Sequence, residues 1–180
     1  NVVLNSGDTI ENLKLRYNYY TNNFEFKKDE TVMMFTSQTG AEKISYRGDT
    51  YSSEKYKTRK GKIKNVYLKE LVDGHCSLFK LKKTEYKDEH HPEDPMDTYK
   101  PRRFEEQPPE YFLKFSGDPM MEKIAVYRKK KFVEYFDYKS RKLYRYLKKK
   151  RLRMRDEEEL IQAVRYYNSN IQSDQKKSDQ

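Results

Sequence analysis

Apolar and polar residues alternate along much of the first 127 positions. In one such run Leu13, Leu15, Tyr17 and Tyr19 are separated by Lys14, Arg16 and Asn18. A period of two puts one set of side chains on a core and the other in water, so the run predicts a half-buried strand. Further strand candidates are Val2–Leu4, Phe24–Phe26, Thr31–Thr36, Lys43–Tyr46, Thr50–Ser53, Ile63–Val72, His75–Leu81, Tyr111–Phe115 and Lys123–Tyr127. Asn5–Asp8 and Asn22-Asn23 read as turns, and Asp73-Gly74 between two β-rich runs is a strong hairpin signal because both residues tolerate positive φ.

From residue 128 the period lengthens. Phe132 and Phe136 are four apart, as are Leu143 and Leu147, and Leu160, Val164, Tyr167 and Ile171 form one stripe at helical spacing. Asp156 is placed to cap the last helix, with Glu159 three residues on to complete an acidic capping box. The expected fold is α+β: an N-terminal antiparallel sheet or small open barrel, followed by two or three short C-terminal helices. Residues 1–127 form the β-rich region, 128–172 a basic helical region packed on it, and 173–180 a polar tail with no apolar residue, expected to fray unless a partner or helix extension orders it.

One segment breaks the β pattern. Residues 85–110 hold five of the six prolines (Pro92, Pro95, Pro101, Pro108 and Pro109) and carry nine acidic against four basic residues. Proline removes ladder donors and like charges repel, so the segment reads as a long acidic excursion from the sheet.

Composition makes the core thin. Leu, Ile, Val and Phe together number 35 of 180 residues, Trp is absent, and 38% of the chain is charged. Seventeen tyrosines compensate, since Tyr buries a large ring while its hydroxyl stays hydrated. Tyrosine is accordingly expected in half-buried strand positions rather than as a stacking platform for bases or sugars. No run approaches 18 apolar residues, so no membrane-spanning helix is expected. The single cysteine, Cys76, excludes a disulfide framework and reads as a buried thiol.

The net charge of +10 is not spread evenly. Arg128–Arg155 contains fourteen basic residues and two acidic ones, and the rest of the chain is nearly neutral, with 25 basic and 27 acidic. With Leu143 and Leu147 inward, Arg141, Arg145, Lys148 and Lys149 project outward and join Lys129, Lys130 and Lys131 on the preceding turn. These seven are the candidate binding residues. A charged helix face is most often simply solvated, with lysine stems covering apolar surface, and the acidic 85–110 segment is a second candidate to neutralise it. The one-sidedness sets an anionic partner beside that reading with equal weight: an acidic protein or envelope surface first, nucleic acid last.

Catalytic chemistry finds little support. His90-His91-Pro92-Glu93-Asp94 holds ligand residue types, but adjacent histidines in an extended loop diverge. His75 and Cys76 fall on opposite faces of a strand. There is no phosphate-cradling glycine loop, nucleophile elbow or HExxH motif. No catalytic residue, metal ligand or cofactor is assigned. A hydrolase acting in the sheet mouth would need a concave apolar pocket with convergent polar groups.

Three stretches share a pattern with known proteins. They are Val3-Leu4-Asn5-Ser6-Gly7-Asp8-Thr9-Ile10 with Leu13–Tyr17, the hairpin Val66–Phe79 with its Gly74-His75-Cys76-Ser77-Leu78-Phe79, and Lys131–Asp137 followed by Leu143, Leu147 and Glu159–Asn168. Together they resemble small exported proteins of Bacteroidota that lack an assigned activity. The resemblance implies a removed signal peptide and a place in the periplasm or at the outer-membrane periphery. Asn1 is not a lipoprotein cysteine. The expectation is a non-enzymatic cell-envelope protein, an accessory or adaptor subunit of an outer-membrane-associated assembly. The alternative is a module that binds anionic polymer or nucleic acid through the basic helices.

Overall fold

The computed structural model describes residues 1–4, 6–35, 40–58, 60–92, 94, 96–126, 128–136 and 140–178, with side chains as far as Asn170. The strands are β1 (Val2–Leu4), β2 (Thr9–Ile10), β3 (Leu15–Asn18), β4 (Asn23–Lys28), β5 (Thr31–Met34), β6 (Ala41–Tyr46), β7 (Asp49–Lys57), β8 (Ile63–Val72), β9 (Cys76–Lys87), β10 (Arg103–Phe115) and β11 (Glu122–Lys123). Helices α1 (Lys129–Glu134), α2 (Ser140–Lys149) and α3 (Glu157–Ser178) follow. The fold is α+β, with an antiparallel sheet that does not close into a barrel. Of the turn residues expected at its start, Asn5 lies outside the described residues, as do Thr36 and Tyr127 at two expected strand ends.

The large sheet runs in the order β11-β10-β9-β8-β7-β6-β1-β2, and β3-β4-β5 form a separate three-stranded sheet. The large sheet curls until Met121 and Tyr56 meet in an isolated parallel bridge, where the Met121 N–H donates to the Lys55 carbonyl at 2.8 Å. Its concave face holds a small core of Tyr56, Val66, Leu68, Phe79, Leu81 and Phe112, closed by Met121.

The opposite face carries two coverings side by side. Tyr51, Lys69, Lys80 and Tyr111 are directly paired across β7, β8, β9 and β10, and so mark that face as one row. At one end of the row Tyr51 joins a core with Tyr17, Phe24, Ile44 and Tyr67 beneath the three-stranded sheet. At the other, Tyr111 joins a core in which Phe132, Leu143, Leu147, Leu160 and Val164 bring the helices down. Strands β9 and β10 are thus buried on both faces.

Tyrosine does fill the thin core. Phe24 is ringed by Tyr17, Tyr46, Tyr51 and Tyr67 at centroid separations of 4.9–5.5 Å, all edge-on. The buried hydroxyls are matched: Tyr67 donates to the Ala41 carbonyl at 2.9 Å and accepts its N–H at 3.1 Å, while Tyr17 donates to the Tyr67 carbonyl at 2.7 Å. Asn22, in a left-handed conformation (φ 55), ties the small sheet to the large one by donating to the Tyr19 and Lys82 carbonyls at 3.1 and 2.7 Å.

The proline-rich segment needs correcting. It does not leave the sheet: Arg103–Gln107 pair with Lys83–Lys87, so β9 and β10 project as a two-stranded ribbon and only 88–102 make its tip. The sheet tolerates Pro108 and Pro109 because they occupy a bulge, where the register shifts between Gln107 and Glu110 and no ladder donor is required. The ribbon's acids are paired locally, Glu106 with Lys82, Glu110 with Lys83, Glu85 with Lys87 and Glu89 with Arg102. They do not fold over the basic helices.

One further detail differs from expectation. At the Asp73-Gly74 hairpin only Gly74 takes positive φ, and three residues rather than two join the strands. Helix α3 runs on to Ser178, so a helix extension, one of the two ordering routes open to the polar tail, takes in most of it.

Candidate functional site

Helix α2 forms because Leu143 and Leu147 lie one turn apart and both bury completely against the sheet-side core. That choice of face sends Arg141, Arg145, Lys148 and Lys149 into solvent. Helix α1 packs against α2, bringing the exposed Lys130 and Lys131 and the half-buried Lys129 to the same end of the molecule. None of these seven residues enters an ion pair among the described residues. Lys148 instead lies over the Tyr144 ring, 4.8 Å from its centroid.

The basic surface extends beyond the seven residues. In Arg151–Arg155, Leu152 and Met154 are buried while Arg151, Arg153 and Arg155 are exposed. This alternation of Arg with Leu or Met was a legible period-two signal, obscured by treating the whole stretch as helical. The segment is held by Glu159, whose carboxylate accepts the N–H groups of Arg153 and Arg155, both at 2.9 Å. Burial works against that carboxylate, but the backbone donors outweigh it and keep its pKa below the usual range.

The concave face offers a second kind of site. Beyond each end of its apolar belt lies a polar mouth. One, of about 470 Å³, sets Glu54, Glu70, Asp73 and Asp118 among Ser52, Ser53 and Ser77. Its lysines are engaged: Lys114 donates to both Glu54 oxygens at 2.9 and 2.7 Å, and Lys43 lies 3.5 Å from Glu70. The Ser52 hydroxyl donates to Glu70 at 3.0 Å, and the residues lining this mouth include no histidine to serve as its base.

The other mouth, of about 700 Å³, is basic, with Lys57, Lys64, Lys83 and Lys123 against Glu110 and Glu122. Glu110 bridges Lys83 at 2.6 Å and Lys123 at 2.7 Å. Burial would raise its pKa, but the two ammonium groups hold it below the ordinary carboxylate range. This mouth is not legible along the chain, because its lysines come from β7, β8, β9 and β11 and are gathered only once the sheet has curled.

His90 is taken by Asp97, and Glu93 lies outside the described residues. No group of three His, Cys, Asp or Glu side chains among the described residues gathers to hold a metal. Cys76 is fully buried, and burial, with Asp118 adding to it, pushes its thiol up to about 12. On the ribbon, exposed Phe104 meets Tyr20 and Tyr86 with ring centroids 5.7 and 5.5 Å away. No described helix is long and apolar enough to cross a membrane. Comparisons with protein-family models, curated proteins and solved structures each return no match.

Proposed function

We propose that this chain is a non-enzymatic docking protein of the cell envelope, an accessory or adaptor subunit that joins a larger outer-membrane-associated assembly. The observation that carries the reading is the cationic face of α1, α2 and Arg151–Arg155. It is rigidly backed by a buried core, strongly one-signed, and without ion pairs for its seven candidate residues among the described ones. Such a surface accelerates and orients association with an acidic partner more than it adds raw affinity. The resemblance to exported proteins supports the compartment, and the ribbon, with exposed Phe104, Tyr86 and Tyr20, supplies a second contact surface on another part of the molecule.

The test is purification from native membranes at low salt, with Arg141, Arg145, Lys148 and Lys149 intact or all changed to Glu. The native chain is expected in a larger complex that dissociates as salt rises, and the reversed variant is expected alone. A native chain that runs alone at low salt overturns the proposal.

A second reading uses the same exposed arginines and lysines to hold an acidic envelope polymer or nucleic acid. It predicts binding to the purified polymer with a steep salt slope, without any protein partner.

A further inference from the structure

The basic mouth of the curled sheet has properties that the docking reading does not use. It is a cleft of about 700 Å³ that opens widely to solvent. Tyr56 stands at its edge with its side chain almost entirely buried, at 5% exposure. Yet its hydroxyl has no hydrogen-bond partner among the described residues and stays open to solvent. A buried tyrosine ordinarily finds a partner for its O–H. Here the ring is fixed by Phe112 at a centroid distance of 4.9 Å, and the polar end is left facing the cleft.

The lysines around it differ in what they hold. Lys83 and Lys123 share Glu110, whereas Lys57 and Lys64 make no ion pair among the described residues. Lys64 is the direct cross-strand neighbour of Tyr56, so one of the unpaired ammonium groups and the unpartnered hydroxyl start from adjacent backbone positions. Four lysines against two glutamates leave the lining with two positive charges in excess. Ile124 and Tyr135 give the cleft a partly apolar wall, and the Tyr135 hydroxyl is engaged by the Ala125 N–H at 3.4 Å.

We infer that this cleft binds a soluble phosphate monoester, with the phosphate between Lys64, Lys123 and the Tyr56 hydroxyl and the organic body against Ile124 and Tyr135. A phosphate monoester carries about −1.5 to −2 charges near pH 7, which matches the excess. Its oxygens accept from point-like ammonium donors as lysine supplies them. Glu110 keeps Lys83 and Lys123 positioned and limits the cleft to one anionic group. The site is separate from the α2 face, and it stands or falls independently of the docking reading.

Phenyl phosphate is the probe, titrated into the full chain and followed by amide chemical shifts, with inorganic phosphate and phenol as controls. Saturable shifts are expected around Tyr56, Lys64 and Lys123, stronger for phenyl phosphate than for either control. Lys64→Glu, on an exposed position, is expected to weaken binding about tenfold or more. Tyr56→Phe, which keeps the ring and its packing, is expected to weaken it several-fold. Arg145→Glu with Lys149→Glu on α2 is expected to leave it unchanged. Absence of saturation, equal binding of phenol, or equal weakening by the α2 variant overturns the proposal. So does retention on phosphatidic-acid vesicles that depends on Lys64 when soluble phenyl phosphate does not bind.

Discussion

Gly74 and Asn168 are 94 positions apart and form a single structural device. The Asn168 side chain accepts the Cys76 N–H and donates to the Cys76 carbonyl, each at 2.9 Å, and so acts as an extra strand residue beside β9. Its amide nitrogen would lie only 2.6 Å from a Cβ at position 74, where φ is +150°. Gly74→Ala is therefore expected to lose about 1–3 kcal/mol through strain and displacement of Asn168. The denaturant midpoint measures that loss, and restoring Gly74 should recover it. In the sequence Gly74 is visible as a turn residue and Asn168 as the end of a helical stripe. Their meeting was not visible, because nothing local reports which helix residue lands on a hairpin.

Elements show where local rules suffice. The cap of α3 follows from sequence alone: the Asp156 carboxylate accepts the Glu159 N–H at 2.9 Å, as its position before an apolar stripe implies. Glu159 departs from the simple capping box, reaching back past the cap to Arg153 and Arg155 and so fixing the incoming segment as well as the helix. Asp156→Ala is expected to cost about 1 kcal/mol in thermal or chemical unfolding. Loss of the Glu159 carboxylate should additionally loosen Arg151–Arg155. The ribbon shows where local rules fail. Proline density and acidic charge correctly mark an interruption of a simple strand, but a bulge absorbs two prolines and neighbouring lysines neutralise the acids, so pairing resumes beyond it. Tertiary pairing outweighs a composition that by itself disfavours strand.

For the molecule as a whole, the segregation of charge is written in the chain, because α1, α2 and Arg151–Arg155 are contiguous. The two mouths of the sheet are not, because each gathers residues from several strands. Their opposite signs, acidic at one end and basic at the other, arise from curvature rather than from any run of like charge. The reliance on buried tyrosine and cysteine also gives the fold a characteristic response to alkali. Burial holds Tyr51 and Cys76 up at about 12, and Tyr17 higher still, whereas the unfolded chain ionises tyrosine at about 10 and cysteine at about 8.5. The folded state then retains protons that the unfolded state releases. Stability contributed by these groups is full below the unfolded values and is lost as pH rises through the window up to the folded ones. Denaturant midpoints measured across that window are expected to fall, and Cys76 is expected to resist alkylation until the protein unfolds.

The placement of β9 and β10 has one more consequence. The helical core takes Leu78 and Leu113 from them, the concave core takes Phe79, Leu81 and Phe112, and the small sheet hangs from β9 through Asn22 on Lys82 and the Thr84 N–H on Tyr19. Three modest cores with few aliphatic residues would each be marginal alone. Because β8 contributes to all three, through Val72, Tyr67 and the pair Val66 and Leu68, and β9 and β10 are common to two of them, they are expected to unfold together, and the protein gains from cooperativity what it lacks in the size of any single core.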